Sequence, residues 1–271
     1  MTDTISRIHK VELGNLKMIA EICDQLSLNY FLIGGSLLGA IRHKGFIPWD
    51  DDMDIGMVRQ DYEQFQKYAP RLLRGHPYFL QTPYSDPNYG FSYMKLLNRN
   101  TYIEEKNNVN DARKGVFIDI FPIDRIPDND AARREQMTRF KLLDSDVIVR
   151  AGYGFIDTPF RRLRSGLDEN DVKDITQLKR ERDRVMQAYN KQAYSNLKNL
   201  ASQYAYDKEI LTLAQVSQLI EVPFEDTTAM IPADYDTILT RLYGNYLQQP
   251  PVKQRTEKHI SKLIMDNQTF S

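Results

Sequence analysis

Apolar side chains recur at three- and four-residue intervals at Leu16, Ile19, Cys23 and Leu26, which predicts an amphipathic helix over residues 5 to 27. Asn29 breaks that pattern. The aromatic and β-branched run Tyr30 to Ile33 then reads as a short strand ending at Gly34-Gly35, and the following SLLGAIR is helical again. Asp54 to Val58, Phe91 to Leu97 and Val116 to Phe121 read as further strands. In the last of these, Phe117, Asp119 and Phe121 alternate with Val116, Ile118 and Ile120. Residues 78 to 81 and 101 to 104 are weaker strand candidates, so the expected sheet lies within residues 30 to 125.

Beyond Pro127 the period changes. Met137, Phe140, Leu143 and Val147 share one helical face, with Asp128 or Asp130 as the candidate cap. Val172, Ile175, Leu178, Val185 and Tyr189 share another, with Asp171 as its cap. Residues Arg161 to Arg184 carry dense charge of both signs and read as a solvated helix face or a loop. The expectation is an α/β (α+β) chain with two regions. A mixed sheet flanked by helices occupies 1–127, and a mainly helical C-terminal half, 128–271, packs on it.

Composition narrows the function classes. Lys and Arg number 36 against 37 Asp and Glu, so no overall field draws the chain to nucleic acid. Cys23 is the only cysteine, and one thiol at an apolar helical position neither staples a secreted fold nor builds a thiolate metal site. The start, MTDTISRIHK, lacks the basic and apolar runs of a signal peptide, and no stretch approaches the ~18 apolar residues of a membrane span. The expected location is the cytoplasm, with contact to a membrane-attached substrate open at its cytoplasmic face.

The chemistry concentrates in "FLIGGSLLGAIRHKGFIPWDDDMDIGM", residues 31 to 57. On a strand, Asp52 and Asp54 project from one face while Met53 and Ile55 point into a core. Two carboxylates on one face suit a hard divalent cation, Mg²⁺ or Mn²⁺, which takes oxygen ligands and leaves positions for water and phosphate. An exposed acidic turn is the bland alternative. Asp119 in "VFIDIFPID" weighs against it, because a third acid isolated among β-branched residues is expensive unless it serves a site. Gly34, Gly35 and Ser36 form a candidate phosphate cradle, since glycine admits a close backbone approach and the next helix presents free N–H groups.

This combination resembles the nucleotidyltransferase fold, in which two metals bridge strand-borne carboxylates and nucleotide phosphates. More narrowly, "GGSLLGAIRHKGFIPWDDDMDIGM", "YMKLLNRNTYIE", "GVFIDIFPID" and the tail "FEDTTAMIPADYDTILTRLYGNYLQQPP" resemble the LicD family of phosphocholine transferases over nearly the whole chain. The resemblance implies transfer of phosphocholine, or a related phospho-alcohol, from a CDP-linked donor such as CDP-choline. The acceptor would be a sugar hydroxyl of a cell-surface polysaccharide or teichoic acid precursor, and CMP would leave. It assigns metal binding and catalysis to Asp52, Asp54 and Asp119, and the donor's phosphates to Gly34, Gly35 and Ser36.

Arg42 and Lys95 are further candidates for donor phosphate, although the local pattern at Ser92 to Lys95 does not show which face Lys95 takes. Trp49 is a candidate to stack on a base or on choline, and equally to pack its own loop. Asp50 shares the parity of Asp52 and is the reserve ligand. Asp124, Tyr243 and His259 read chiefly as packing residues. Two rival functions use the same acids or none: a nucleotidyltransferase that releases pyrophosphate from an NTP, and a non-catalytic binding protein that keeps the fold.

Overall fold

The computed structural model describes residues 3–106, 110–153, 169–255 and 260–270. Helix α1 (Asp3–Leu26) buries Leu16, Ile19 and Cys23 on its predicted face and leads through a left-handed Ser27 into strand β1 (Phe31–Leu32). Helix α2 (Gly34–His43) follows directly, and β2 (Asp54–Val58) returns antiparallel to β1. After α3 (Arg59–Leu72) come β3 (Tyr78–Gln81), β4 (Met94–Asn98), β5 (Thr101–Glu105) and the long β6 (Phe117–Arg125).

The main sheet runs β1-β2-β6-β4-β3. Within it β2 and β6 are parallel, while β4 is antiparallel to both β6 and β3. Strand β6 is buried on both faces over Phe117 to Asp124, as a central strand must be, so its alternation does not separate a wet face from a dry one.

Helices α4 (Asp130–Arg150) and α5 (Glu169–Met186) form a layer that closes on Ile126 and Leu200 through Phe140, Val185 and Met186. The cap of α4 is Asn129, whose side chain accepts from the N–H groups of Ala131 and Ala132, in place of Asp128 or Asp130. Asp171 lies inside α5. Charge in that helix is not a solvated face throughout: Lys179 and Arg182 are fully buried. Lys179 Nζ donates to the carbonyls of Pro83 (2.9 Å) and Pro87 (3.2 Å), and Arg182 donates to those of Gly90 (2.7 Å) and Phe91 (3.0 Å). The two side chains hold the 83–91 loop by satisfying carbonyls that no strand pairs. Residues 161–168 of the charged segment, and His259, lie outside the described residues.

The sheet is not confined to residues 30 to 125. Strands β7 (Asn196–Lys198) and β8 (Ile210–Thr212) extend it from the end of β6. After the short helix α6 (Leu213–Ser217), β9 (Leu219–Phe224) and β10 (Thr227–Pro232) make a hairpin, and helix α7 (Tyr235–Tyr243) packs near α2. Strand β11 (Ile260–Met265) pairs with β12 (Gln268–Phe270) and with β5. The C-terminal half thus adds strands as well as helices. Three of these strands, β7, β8 and β12, are only three residues long, too short for a two-residue period to stand out from its surroundings.

Candidate active site

Parallel pairing of β2 with β6 sets Asp54 opposite Asp119 in register, so both carboxylates leave the same face of the sheet. The Asp119 N–H donates to the Met53 carbonyl at 2.9 Å, which locks that register at the strand's start. Asp52 stands just ahead of β2 rather than within it, yet keeps the expected parity, with Met53 and Ile55 wholly buried beneath. Asp50, Asp52, Asp54 and Asp119 line one open cleft of about 1310 Å³, together with Gly34 and Gly35.

Oxygens of Asp50, Asp51 and Asp52 all lie within 4.8 Å of one another, a group able to hold a metal ion. Asp51 itself is buried, does not line the cleft, and accepts from the Ile260 N–H at 3.0 Å. Burial, then the charges of Asp52, Asp119 and Asp50, pushes the Asp54 carboxyl well above its ordinary range. Burial likewise raises Asp119 to about 7 in spite of the opposing Lys95. Asp119 Oδ1 is buried with no hydrogen bond among the described residues, and Lys95 Nζ stands 3.6 Å away. An all-carboxylate set with a buried oxygen that accepts no hydrogen bond among those residues fits a hard divalent cation.

Helix α2 starts at Gly34, at φ +54°, and has no side-chain cap on its first turn. A Cβ on Gly34 would meet Tyr204 Oη at 3.7 Å and Asp54 Oδ2 at 3.8 Å; one on Gly35 would come within 2.9 Å of Asp50 Oδ2. Glycine is thus needed at the first position for its backbone and at the second for space. Ser36 acts through the backbone of β2 instead. Its Oγ accepts from the Asp54 N–H at 2.8 Å, tying the turn to the acid strand, and it is not among the cleft-lining residues.

Arg42 and Trp49 line the cleft side by side. Arg42 donates to the Tyr246 carbonyl (3.1 Å), and the guanidiniums of Arg42 and Arg255 lie 6.0 and 5.1 Å from the Trp49 ring. Lys95 is buried behind Asp119 instead of lining the cleft. It rests 3.2 Å from the Phe117 ring centroid and 3.5 Å from Glu105 Oε1. Asp124 is a packing residue, held by two bonds from Arg59 (2.7 and 2.5 Å) and one from Asn190 (2.6 Å).

Residues 27–148, which carry this turn and these acids, match the family model described as LicD/FKTN/FKRP, nucleotidyltransferase domain. Over those residues the chain carries the domain of the LicD family. It is 26% identical to the lipopolysaccharide cholinephosphotransferase LicD of Haemophilus influenzae over 267 residues, 96% of this chain and 97% of that protein. An uncharacterized protein of Rickettsia typhi is 41% identical over 57 residues, 21% of this chain and 18% of that protein. The ribitol 5-phosphate transferase FKRP of Homo sapiens is 42% identical over 45 residues, 17% of this chain and 9% of that protein.

The cleft's far wall comes from residues 199–209 and 243–254, beyond the matched segment. Tyr243 lies there, its hydroxyl hydrogen-bonded to that of Tyr204. No periodicity or motif marks residues 199–209 as part of a site, and only the β7–β8 excursion carries them to it. Glu12, on α1, went unsignalled too, because it sits among buried apolar positions. Its carboxyl is fully buried, and burial followed by the charges of Asp52, Asp51, Asp50 and Asp119 raises it well above the usual range. Among the described residues no helix is long and apolar enough to cross a membrane.

Proposed function

We propose that this chain transfers phosphocholine, or a related phospho-alcohol, from a CDP-linked donor to a sugar hydroxyl of a cell-surface polysaccharide or teichoic acid precursor. The observation that carries this is the meeting of the Gly34-Gly35 turn with Asp52, Asp54 and Asp119 in one cleft of a chain that aligns end to end with a cholinephosphotransferase. A CDP-alcohol also fits the charge layout, since its diphosphate would run between the start of α2, Arg42 and the acid face.

Mg²⁺ or Mn²⁺ would be held by Asp52, Asp54 and Asp119, and when bound it supplies neutralisation of charge on the transferring phosphoryl group. The chain's own residues position the rest. The first turn of α2 offers its N–H groups and dipole to the donor's phosphates. Arg42 adds a fixed cation beside Trp49. The acceptor hydroxyl oxygen attacks the phosphorus that bears the alcohol, the bond from that phosphorus to the CMP phosphate oxygen breaks, and the hydroxyl proton passes to Asp119. In the metal-free chain burial raises the Asp119 carboxyl to about 7.

A panel of CDP-choline, CDP-ethanolamine, CDP-glycerol and CDP-ribitol, each with Mg²⁺ and candidate glycans, tests the reading by CMP release. CMP together with a phospho-alcohol on the glycan is the expected product pair. Pyrophosphate released from an NTP, or no turnover of any donor, would overturn it.

A further inference from the structure

The cleft has two chemically unlike walls. One carries the acids, the glycine turn and Arg42, while the other presents the side-chain amides of Gln203, Asn245, Gln248, Gln249 and Gln254. None of these five side chains is hydrogen-bonded to another protein group among the described residues. Each amide both donates and accepts, which is the complement of a hydroxyl group that also does both.

This wall is nearly free of charge. Its one charged lining residue, Glu209, is buried and faces Lys198 at 3.8 Å. Lys253 and Arg255 belong to the same loop but do not line the cleft, and Arg255 lies against Trp49. An anion laid along the amides would meet a cation only at Arg42, which already donates to the Tyr246 carbonyl at 3.1 Å, whereas a neutral polyol would exchange water for amides at little cost. Tyr243, Tyr246 and Pro250 stand among the amides and offer apolar faces to the C–H faces of a sugar ring.

We infer that the amide wall is the acceptor subsite and that it takes an uncharged saccharide, not a phosphate-bearing stretch of polymer. Its role as acceptor subsite rests on the transferase reading above; its preference for neutral hydroxyl-rich ligands does not.

Saturation-transfer NMR on the full chain with Mg²⁺ tests it. The probes are the methyl glycosides of glucose, galactose, N-acetylglucosamine and N-acetylgalactosamine, alongside the 6-phosphates of the same sugars. At least one neutral glycoside should receive saturation in preference to its phosphate. The double variant Gln248→Ala/Gln249→Ala should weaken its Kd about tenfold, as two lost hydrogen bonds would, and Gln203→Ala should weaken it to a smaller degree. CDP-choline affinity, titrated on the same samples, checks that the folded cleft is retained. Stronger transfer to the 6-phosphates, no transfer to any neutral glycoside, or binding unmoved in both variants would overturn the inference. Loss of glycoside binding in the variants of a protein that turns over no CDP-alcohol would sustain the saccharide site and remove only the transferase reading.

Discussion

Asp54 and Asp119 are direct register partners on adjacent parallel strands, with both carboxyls on the cleft face. Neighbouring strands are about 4.8 Å apart, so two buried acids at one level repel unless a proton or a cation intervenes. The fold places that repulsion beside the glycine turn, where a bound cation would relieve it and could also meet a phosphate.

Metal-free stability should therefore fall as pH rises. Asp119 is raised to about 7, against about 3.9 in an unfolded chain, so between those values the native state holds a proton that the unfolded state has released. Stability declines through that window and levels off above it. Melting curves at pH 5 and pH 8 check this, and Mg²⁺ should raise Tm more at pH 8, where the carboxylates are free to bind it.

Asp52→Asn and Asp54→Asn should each cut turnover by on the order of a hundredfold or more while leaving metal-free Tm unchanged or higher, because each removes a ligand charge and a source of repulsion. Turnover at saturating Mg²⁺ and a melting curve without it are the two measurements. A wild-type rate in either variant would remove that acid from the site.

Asp119→Asn should separate binding from chemistry. Lys95 keeps Glu105 at 3.5 Å, so the cation is not left alone and Tm should change little. Donor affinity should survive on Asp52 and Asp54, with most of the rate lost. A Tm drop matching a loss of ~3–5 kcal/mol, with ordinary specific activity in the folded fraction, would instead make Asp119 the structural partner of Lys95.

Gly35→Ala tests the turn with a single methyl group. Its Cβ would sit 2.9 Å from Asp50 Oδ2, so the Asp50 carboxylate must swing away from the acid group. Weaker Mg²⁺ and donor binding in a folded protein is the expected outcome, read by calorimetric titration of each.

Arg59→Ala should be the most destabilising of these changes without touching the cleft. It strips both guanidinium bonds from Asp124, which is completely buried, and leaves only Asn190 on that carboxylate. A loss of about 3–5 kcal/mol in urea unfolding is expected.

Local pattern by itself determined α1, the strand–turn–helix at residues 31 to 43, the parity of Asp52 and Asp54, and the presence of β6. Each of these follows from a period of 2 or 3.6 read over a few neighbouring residues. The glycine turn and the acids could be singled out as a candidate site because they are contiguous, or nearly so, along the chain. Only the tertiary structure decided that Asp119 stands beside Asp54, since a strand's sequence does not name its neighbour or its register. Lys95 turned out to back Asp119 for the same reason: β4 pairs with β6 at that level. The amide wall and Tyr204 were illegible because each reaches the cleft through contacts far apart in sequence, and Glu12 because it is buried near the acids from a distant helix. A glutamine on a surface loop carries no local mark of the wall it will face.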